Sequence, residues 1–384
     1  MKTADPFAVM AKPVGSLCNM NCGYCYYLNA DSRGENGRMS DALLEVFIRR
    51  YIEESPGPVV SFTWHGGEPA LAGLNFFRLA VELQKRYLPE GWTCWNNLQT
   101  NGTLLDDEWA AFLAENRFDV GLSVDGTPEL HDRYRKDRDG GGTYERAVAA
   151  VRRLQARGIQ PDLLCTVTSA AANEPLAVYR ALRELGTGWI QFIPIVRKTP
   201  GGELTPESVD DEGYGRFLCV IFDEWLLNDI GKTEVQLFAE TAMVRAGRVA
   251  ALCWMAPVCG RVLIVERDGG VYACDHYVRP EYRLGDIAES GLASLVDSLG
   301  QRRFGGNKRD ALPAQCHECR SLSLCNGGCP KDRLAVTAAG EQGLNILCAG
   351  LKRFFAHCEE PMKRAMALRR RGLDAEAIMA RLRG

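Results

Sequence analysis

Between residues 1 and 196 the chain alternates short apolar, β-branched runs with longer stretches in which apolar positions return every three to four residues. The runs are Phe7 to Lys12, Val59 to Trp64, Cys94 to Gln99, Asp119 to Val124, Asp162 to Thr168 and Trp189 to Val196. Each is bounded by Gly, Asn, Pro or Ser, and each predicts a strand. The intervening stretches predict helices. Ser40 can cap one whose Leu44, Phe47, Ile48 and Tyr51 fall on one face, and Phe76, Leu79, Ala80, Leu83 and Tyr87 mark the next. Thr143 to Arg157 and Asn173 to Leu185 predict two more, each followed by a glycine that can end it.

Strand and helix in strict alternation imply parallel pairing with right-handed crossovers. About eight such units close a full barrel, so six predict an α/β fold built on a partial, open (β/α)6 barrel. Ligands of such sheets sit beyond the carboxyl ends of the strands, and the unusual residues collect there. CNMNCGYC follows the first strand, HGGEP the second and TNG the third, while SVDG ends the fourth and FIPIV the sixth.

After residue 197 the alternation stops. A Pro/Gly-rich break at 199–205 precedes a predicted helix from Asp211 to Leu227, and from Leu252 the chain turns rich in cysteine and glycine. Val262 to Glu266 and Val271 to Cys274 flank RDGG and predict a β-hairpin. Residues 359–384 predict a helical tail whose seven Lys and Arg form a solvated face. The expected division is therefore 1–235, 236–358 and 359–384.

Composition alters this picture at one point. The 384 residues are 46% hydrophobic and 25% charged, an ordinary globular balance, and 46 basic against 49 acidic side chains leave a net charge of −3. No basic field exists to gather nucleic acid or anionic lipid. The N-terminal stretch lacks an apolar signal core and no apolar run is long enough to span a bilayer, so a cytoplasmic protein is expected. Fifteen cysteines are then anomalous, because a reducing compartment disfavours disulfides and points to metal or catalysis.

Cys18, Cys22 and Cys25 form CxxxCxxC, three thiolates on one short loop. Three sulfurs can hold three irons of a [4Fe-4S] cluster and leave the fourth iron open to a small molecule. Zinc would need a fourth ligand, and the next thirty residues offer neither His nor Cys. A second group comprises Cys253, Cys259 and Cys274, then Cys316, Cys319, Cys325 and Cys329, then Cys348. Eight cysteines complete two four-thiolate sites, for which a pair of zinc ribbons is the other reading of the spacing.

CxxxCxYC after a first strand with GGEP after the second resembles the radical S-adenosylmethionine (AdoMet) enzymes, and the C-terminal spacing resembles their SPASM extension. WHGGEPALAGL, LQTNGTLLDDEWAAFL, VGLSVDG, IQFIPIV, YACDHYV and LNILCAGLKRFF narrow the resemblance to the anaerobic sulfatase-maturating enzymes, from Lys12 to about His357. It implies oxidation of a Cys or Ser in a sulfatase to Cα-formylglycine, after Cβ hydrogen abstraction by a 5′-deoxyadenosyl radical. It implies three [4Fe-4S] clusters and AdoMet, an unfolded or nascent sulfatase polypeptide with a CxPxR-type motif, and an electron donor such as flavodoxin or ferredoxin.

Carried over residue by residue, the resemblance makes Cys18, Cys22 and Cys25 the AdoMet-cluster ligands. It gives Cys253, Cys259, Cys274 and Cys329 to a first auxiliary cluster and Cys316, Cys319, Cys325 and Cys348 to a second. Tyr24, Gly67, Ser123, Arg135 and Val196 match AdoMet contacts, with the Gly67 backbone near the methionine amino group. Asp275 matches the proton acceptor. A carboxylate with pKa near ~4 is a weak base toward a thiol near ~8.5, so burial and the neighbouring cluster are expected to raise the pKa of Asp275. Glu68 reads equally as an AdoMet contact or a helix cap. His65, His131 and His276 read as hydrogen-bonded structural residues, and Cys94, Cys165, Cys219 and Cys358 as small buried hydrophobes. The alternatives are a maturase that crosslinks a ribosomal peptide with the same clusters and a metal-binding scaffold without chemistry.

Overall fold

The computed structural model describes residues 2–27, 37–199 and 201–383. Its strands, in chain order, are β1 (Ala8–Lys12), β2 (Val59–Trp64), β3 (Thr93–Thr100), β4 (Phe118–Ser123), β5 (Asp162–Val167), β6 (Trp189–Pro194), β7 (Glu234–Val235), β8 (Val262–Glu266), β9 (Gly270–Tyr272), β10 (Arg283–Asp286), β11 (Ala335–Val336) and β12 (Gln342–Leu344). Contacts divide the chain into two compact units. The first holds residues 1–123, 132–161 and 259–306, and the second holds 124–131, 162–258 and 307–384.

In the first unit the strands lie in the order β10-β9-β8-β1-β2-β3-β4. β1 pairs in parallel with β2 on one side and with β8 on the other, and β2-β3 and β3-β4 are also parallel. β8, β9 and β10 are antiparallel. Ser40 does cap Asp41–Glu54, accepting from the Leu43 N–H, and Asp106 caps Asp107–Glu115 in the same way through Trp109. The inner faces of these elements meet in an aromatic cluster. Trp64, Phe47, Phe62, Phe76 and Phe77 are at most 1% exposed, with ring centroids 5.4–6.0 Å apart and mostly edge-to-face. Such pairs contribute about 0.5–1.5 kcal/mol each beyond the area they bury. The Trp64 indole donates to Asn96, whose amide is paired with Gln84 in both directions, so the buried polar groups beside the rings are satisfied.

The second unit holds β5-β6-β7, all parallel, and the small antiparallel pair β11-β12. Asp211–Asn228 is capped by Asp210 and packs closely on Cys348–His357, where Gly215 and Gly350 face each other with no room for a Cβ on either. The predicted tail forms two helices, Glu359–Arg370 and Ala375–Arg383.

Two features depart from expectation. Parallel pairing does not stop after six strands, because β7 adds to β6 through Trp189↔Glu234 and Ile190↔Val235; two residues are too few to produce a periodic signal. The hairpin strand β8 lies alongside β1 in register from Ala8↔Val262 to Lys12↔Glu266. Among the described residues no helix is long and apolar enough to cross a membrane.

Candidate active site

The loop that follows β1 carries Cys18, Cys22 and Cys25, all free thiols. It is held from two directions. Asn21 N–H donates to the Lys136 carbonyl at 2.8 Å and Gly23 N–H to that of Tyr134 at 2.9 Å, while the Arg138 guanidinium grips the Cys18 carbonyl through Nε at 2.9 Å and Nη2 at 2.6 Å. From β2, Gly67 N–H donates to the Gly15 carbonyl at 2.8 Å and Glu68 N–H to that of Leu17 at 2.9 Å. A Cβ on Gly67 would stand 2.1 Å from the Leu17 carbonyl oxygen, so only glycine lets the two loops approach this closely. The Gly67 N–H is thus spent on the loop.

Burial pushes the Cys18 thiol up to about 12, with the neighbouring Glu68, Cys22 and Cys25 adding to the rise against the opposing Met20 N–H bond. Cys22 and Cys25 lie close enough to Cys18 to add to its cost of ionisation, and a cationic iron cluster would relieve it. The loop therefore fits a cluster held by three cysteines.

Glu68 is fully buried and acts as a cap. Its carboxylate accepts from Ala70 N–H at 3.0 Å, from the Thr100 hydroxyl at 2.7 Å and from Asn101 N–H at 2.8 Å. Beside the cysteine loop, the Arg135 guanidinium lies 5.5 Å from the Tyr24 ring centre, and Tyr24 is 5.8 Å from Tyr134. Ser123 ends β4 in the same unit. Val196 follows β6 in the second unit.

A buried charged cluster occupies the carboxyl ends of β1, β2 and β8. Lys12 has no exposure; its Nζ lies 2.6 Å from Asp275 Oδ1, 3.9 Å from Glu266 and 3.6 Å from the centre of the Tyr27 ring. Tyr27 donates to Glu266 at 2.5 Å, and the Tyr26 hydroxyl, on a half-exposed ring, donates to Asp275 Oδ2. His65 stands nearby, its buried Nδ1 without a hydrogen-bond partner among the described residues, and burial holds its pKa below the ordinary value. Burial alone would push the Asp275 carboxyl up, as expected from the sequence. The Lys12 ammonium, with His65 and His276, outweighs that effect and holds it well below the usual carboxylate range. Asp275 is thus a firmly ionised carboxylate gripped at both oxygens. Lys12, Tyr26, Tyr27 and Glu266 escaped the sequence reading; a lysine closing an otherwise buried strand was the available signal.

In the second unit Cys316, Cys319, Cys325 and Cys348 line one hollow together with Leu322, Asn345, Leu351 and Phe355. Burial pushes Cys325 up to about 11, with Cys348 the nearest further cause. Four free thiols on an apolar-walled hollow fit a four-thiolate cluster. Cys253 and Cys329 belong to the second unit, and Cys253 is among the groups that add to the burial that pushes the Cys329 thiol up. Cys259 and Cys274 belong to the first.

Of the remaining candidates, His131 is buried and accepts from Asp125 N–H at 3.2 Å, a structural role. Cys165, Cys219 and Cys358 are buried as expected, whereas Cys94 is only half-buried.

Comparison with known proteins matches two stretches of the chain to family models. The Radical SAM superfamily model matches residues 13–171 and the SPASM iron-sulfur cluster-binding domain matches 253–320. A serine-type anaerobic sulfatase-maturating enzyme of Bacteroides thetaiotaomicron is 43% identical over 92% of this chain and 90% of its own length. A cysteine-type enzyme of Clostridium perfringens is 34% identical over 92% of this chain and 96% of its own. The solved structure of native anSMEcpe with bound AdoMet and Cp18Cys peptide superposes with a TM-score of 0.86 at 32% identity, covering 95% of this chain and all of that one.

Proposed function

The chain belongs to the anaerobic sulfatase-maturating enzymes, radical AdoMet enzymes with a SPASM extension and three [4Fe-4S] clusters, and we propose that within this family the residue it oxidises is serine. The reaction converts a Cys or Ser side chain of a sulfatase to Cα-formylglycine, so the crosslinking and scaffold readings give way to this one. The greater identity to the serine-type relative over an equal share of the chain carries the choice of serine.

When bound, the N-terminal cluster and AdoMet supply the 5′-deoxyadenosyl radical that removes one Cβ hydrogen atom. The chain's own residues do the rest. Cys18, Cys22 and Cys25 hold that cluster, with Tyr24, Gly67, Ser123, Arg135 and Val196 around AdoMet. Cys316, Cys319, Cys325 and Cys348 hold one auxiliary cluster, and Cys253, Cys259, Cys274 and Cys329 are assigned to the other by the family spacing. Completing the aldehyde requires the carbon radical to lose one further electron, which an auxiliary cluster would accept, and one proton from the side-chain heteroatom, which Asp275 accepts. Its low pKa leaves it a weak base that is ionised at neutral pH, with Lys12 and Tyr26 keeping each oxygen in place. Residues 1–235, 236–358 and 359–384 serve as radical module, auxiliary-cluster module and tail. The polypeptide substrate is a nascent or unfolded sulfatase segment of CxPxR type with serine at the first position, and a flavodoxin or ferredoxin delivers the electrons.

The test is anaerobic turnover of two peptides that differ only in Ser or Cys at the target position, followed by mass spectrometry for the aldehyde. Aldehyde from the serine peptide is the expected result. Aldehyde from the cysteine peptide alone would overturn the assignment.

A further inference from the structure

Asn101 follows β3 and is fixed at both its main chain and its side chain. Its N–H is held by the buried Glu68 carboxylate at 2.8 Å. Its side-chain Oδ1 accepts from the Thr103 N–H at 2.9 Å and from the Thr103 hydroxyl at 2.7 Å. An amide oxygen held by a main-chain donor leaves its nitrogen one direction to face. That nitrogen donates to Asn19 Oδ1 at 3.0 Å and to Cys18 Sγ at 3.8 Å. Asn19 in turn donates to the Thr103 hydroxyl at 2.8 Å, so three side chains close a ring of hydrogen bonds against one cluster-ligand cysteine. Cys18 Sγ also receives the Met20 N–H at 3.4 Å.

We propose that Asn101 is a positioning residue that sets the reduction potential of the N-terminal cluster by donating a hydrogen bond to the Cys18 sulfur. The inference rests on the assignment of Cys18 as a cluster ligand. Reduction places more negative charge on the cluster and its thiolates, and an N–H aimed at a ligand sulfur favours the more negative state. The ring fixes the donor in place before the charge arrives, so little reorganisation opposes it.

Asn101→Asp and Asn101→Ala together test this role, the first reversing the donor and adding a charge, the second removing the donor alone. The Asp variant preserves the shape and lets one oxygen keep both Thr103 bonds, but it turns an acceptor toward Cys18 Sγ. The measurement is an anaerobic redox titration of the reconstituted holoenzyme followed by electron paramagnetic resonance. The N-terminal cluster is recognised as the one whose signal changes on adding AdoMet. The expected result is full iron content with a more negative midpoint potential, by about tenfold in the reduction equilibrium or about 59 mV for one electron. Asn101→Ala, which removes the donor without adding charge, is expected to shift the potential in the same direction and decides the matter if the Asp variant loses the cluster. An unchanged potential in a fully loaded variant overturns the proposal. So does loss of the AdoMet-sensitive cluster from both variants, which would make Asn101 a holder of the loop. A wild-type protein without an AdoMet-sensitive signal would instead overturn the cluster assignment beneath it.

Discussion

Asp275 and Lys12 show how two residues constrain each other. A carboxylate this enclosed would be costly alone, and the ammonium 2.6 Å away makes it an ion. If its work is proton acceptance, Asp275→Asn should keep AdoMet cleavage while formylglycine falls by about 10²- to 10⁴-fold. The ratio of 5′-deoxyadenosine to aldehyde checks this, and wild-type aldehyde yield would remove Asp275 from the reaction. Lys12→Met tests the other half of the pair. Leaving Asp275 without its cation should cost about 3–5 kcal/mol of stability at neutral pH, measured by anaerobic denaturant unfolding. The pH dependence has a definite sign. The wild-type carboxylate is depressed, so the pair stabilises above the ordinary carboxylate pKa of about 4 and its contribution is lost as pH falls toward the lower folded value. The gap between wild type and Lys12→Met should therefore narrow in acid. A gap that persists unchanged would mean that the lysine acts by packing alone.

At the scale of elements, β1 to β6 were legible because short runs with apolar and β-branched residues, bounded by Gly, Asn, Pro or Ser, alternate with stretches of helical period. β1 and β2 also placed the cysteine loop and the GGEP turn correctly at strand ends. What local pattern could not supply was the partner of β8. Its pairing with β1 joins residues about 250 positions apart, and that register alone sets Glu266 beside Lys12. The expected rise in the Asp275 pKa failed for the same reason, since its opposing cation lies at the far end of the chain. The turn after β2 carries a prediction of its own. Gly67→Ala would drive a methyl group into the Leu17 carbonyl and push the cysteine loop away. Iron content should fall by about four per chain while the auxiliary clusters remain, as read by iron assay and by loss of the AdoMet-sensitive signal. Full iron with that signal intact would show that the loop has slack the packing does not suggest.

Over the whole molecule the cysteines divide the chemistry. Cys18, Cys22 and Cys25 lie in the first unit on a loop held by residues 134–138 and by the β2 turn, all within that unit. Cys316, Cys319, Cys325 and Cys348 line their hollow entirely within the second unit. Neither set draws a thiol from the other, so removing one should leave the other's donors intact. Three clusters of four irons give about twelve irons per chain. Replacing Cys18, Cys22 and Cys25 together by Ala should lower this to about eight and abolish 5′-deoxyadenosine formation. The remaining auxiliary clusters should still be visible by absorption and by Mössbauer spectroscopy. Iron near four in the wild type, or zinc in the C-terminal sites, would contradict the two auxiliary clusters. If the triple variant still cleaved AdoMet, the radical chemistry could not reside at the N-terminal loop. If it lost all iron, the two cysteine sets would be coupled through folding despite their separate scaffolds.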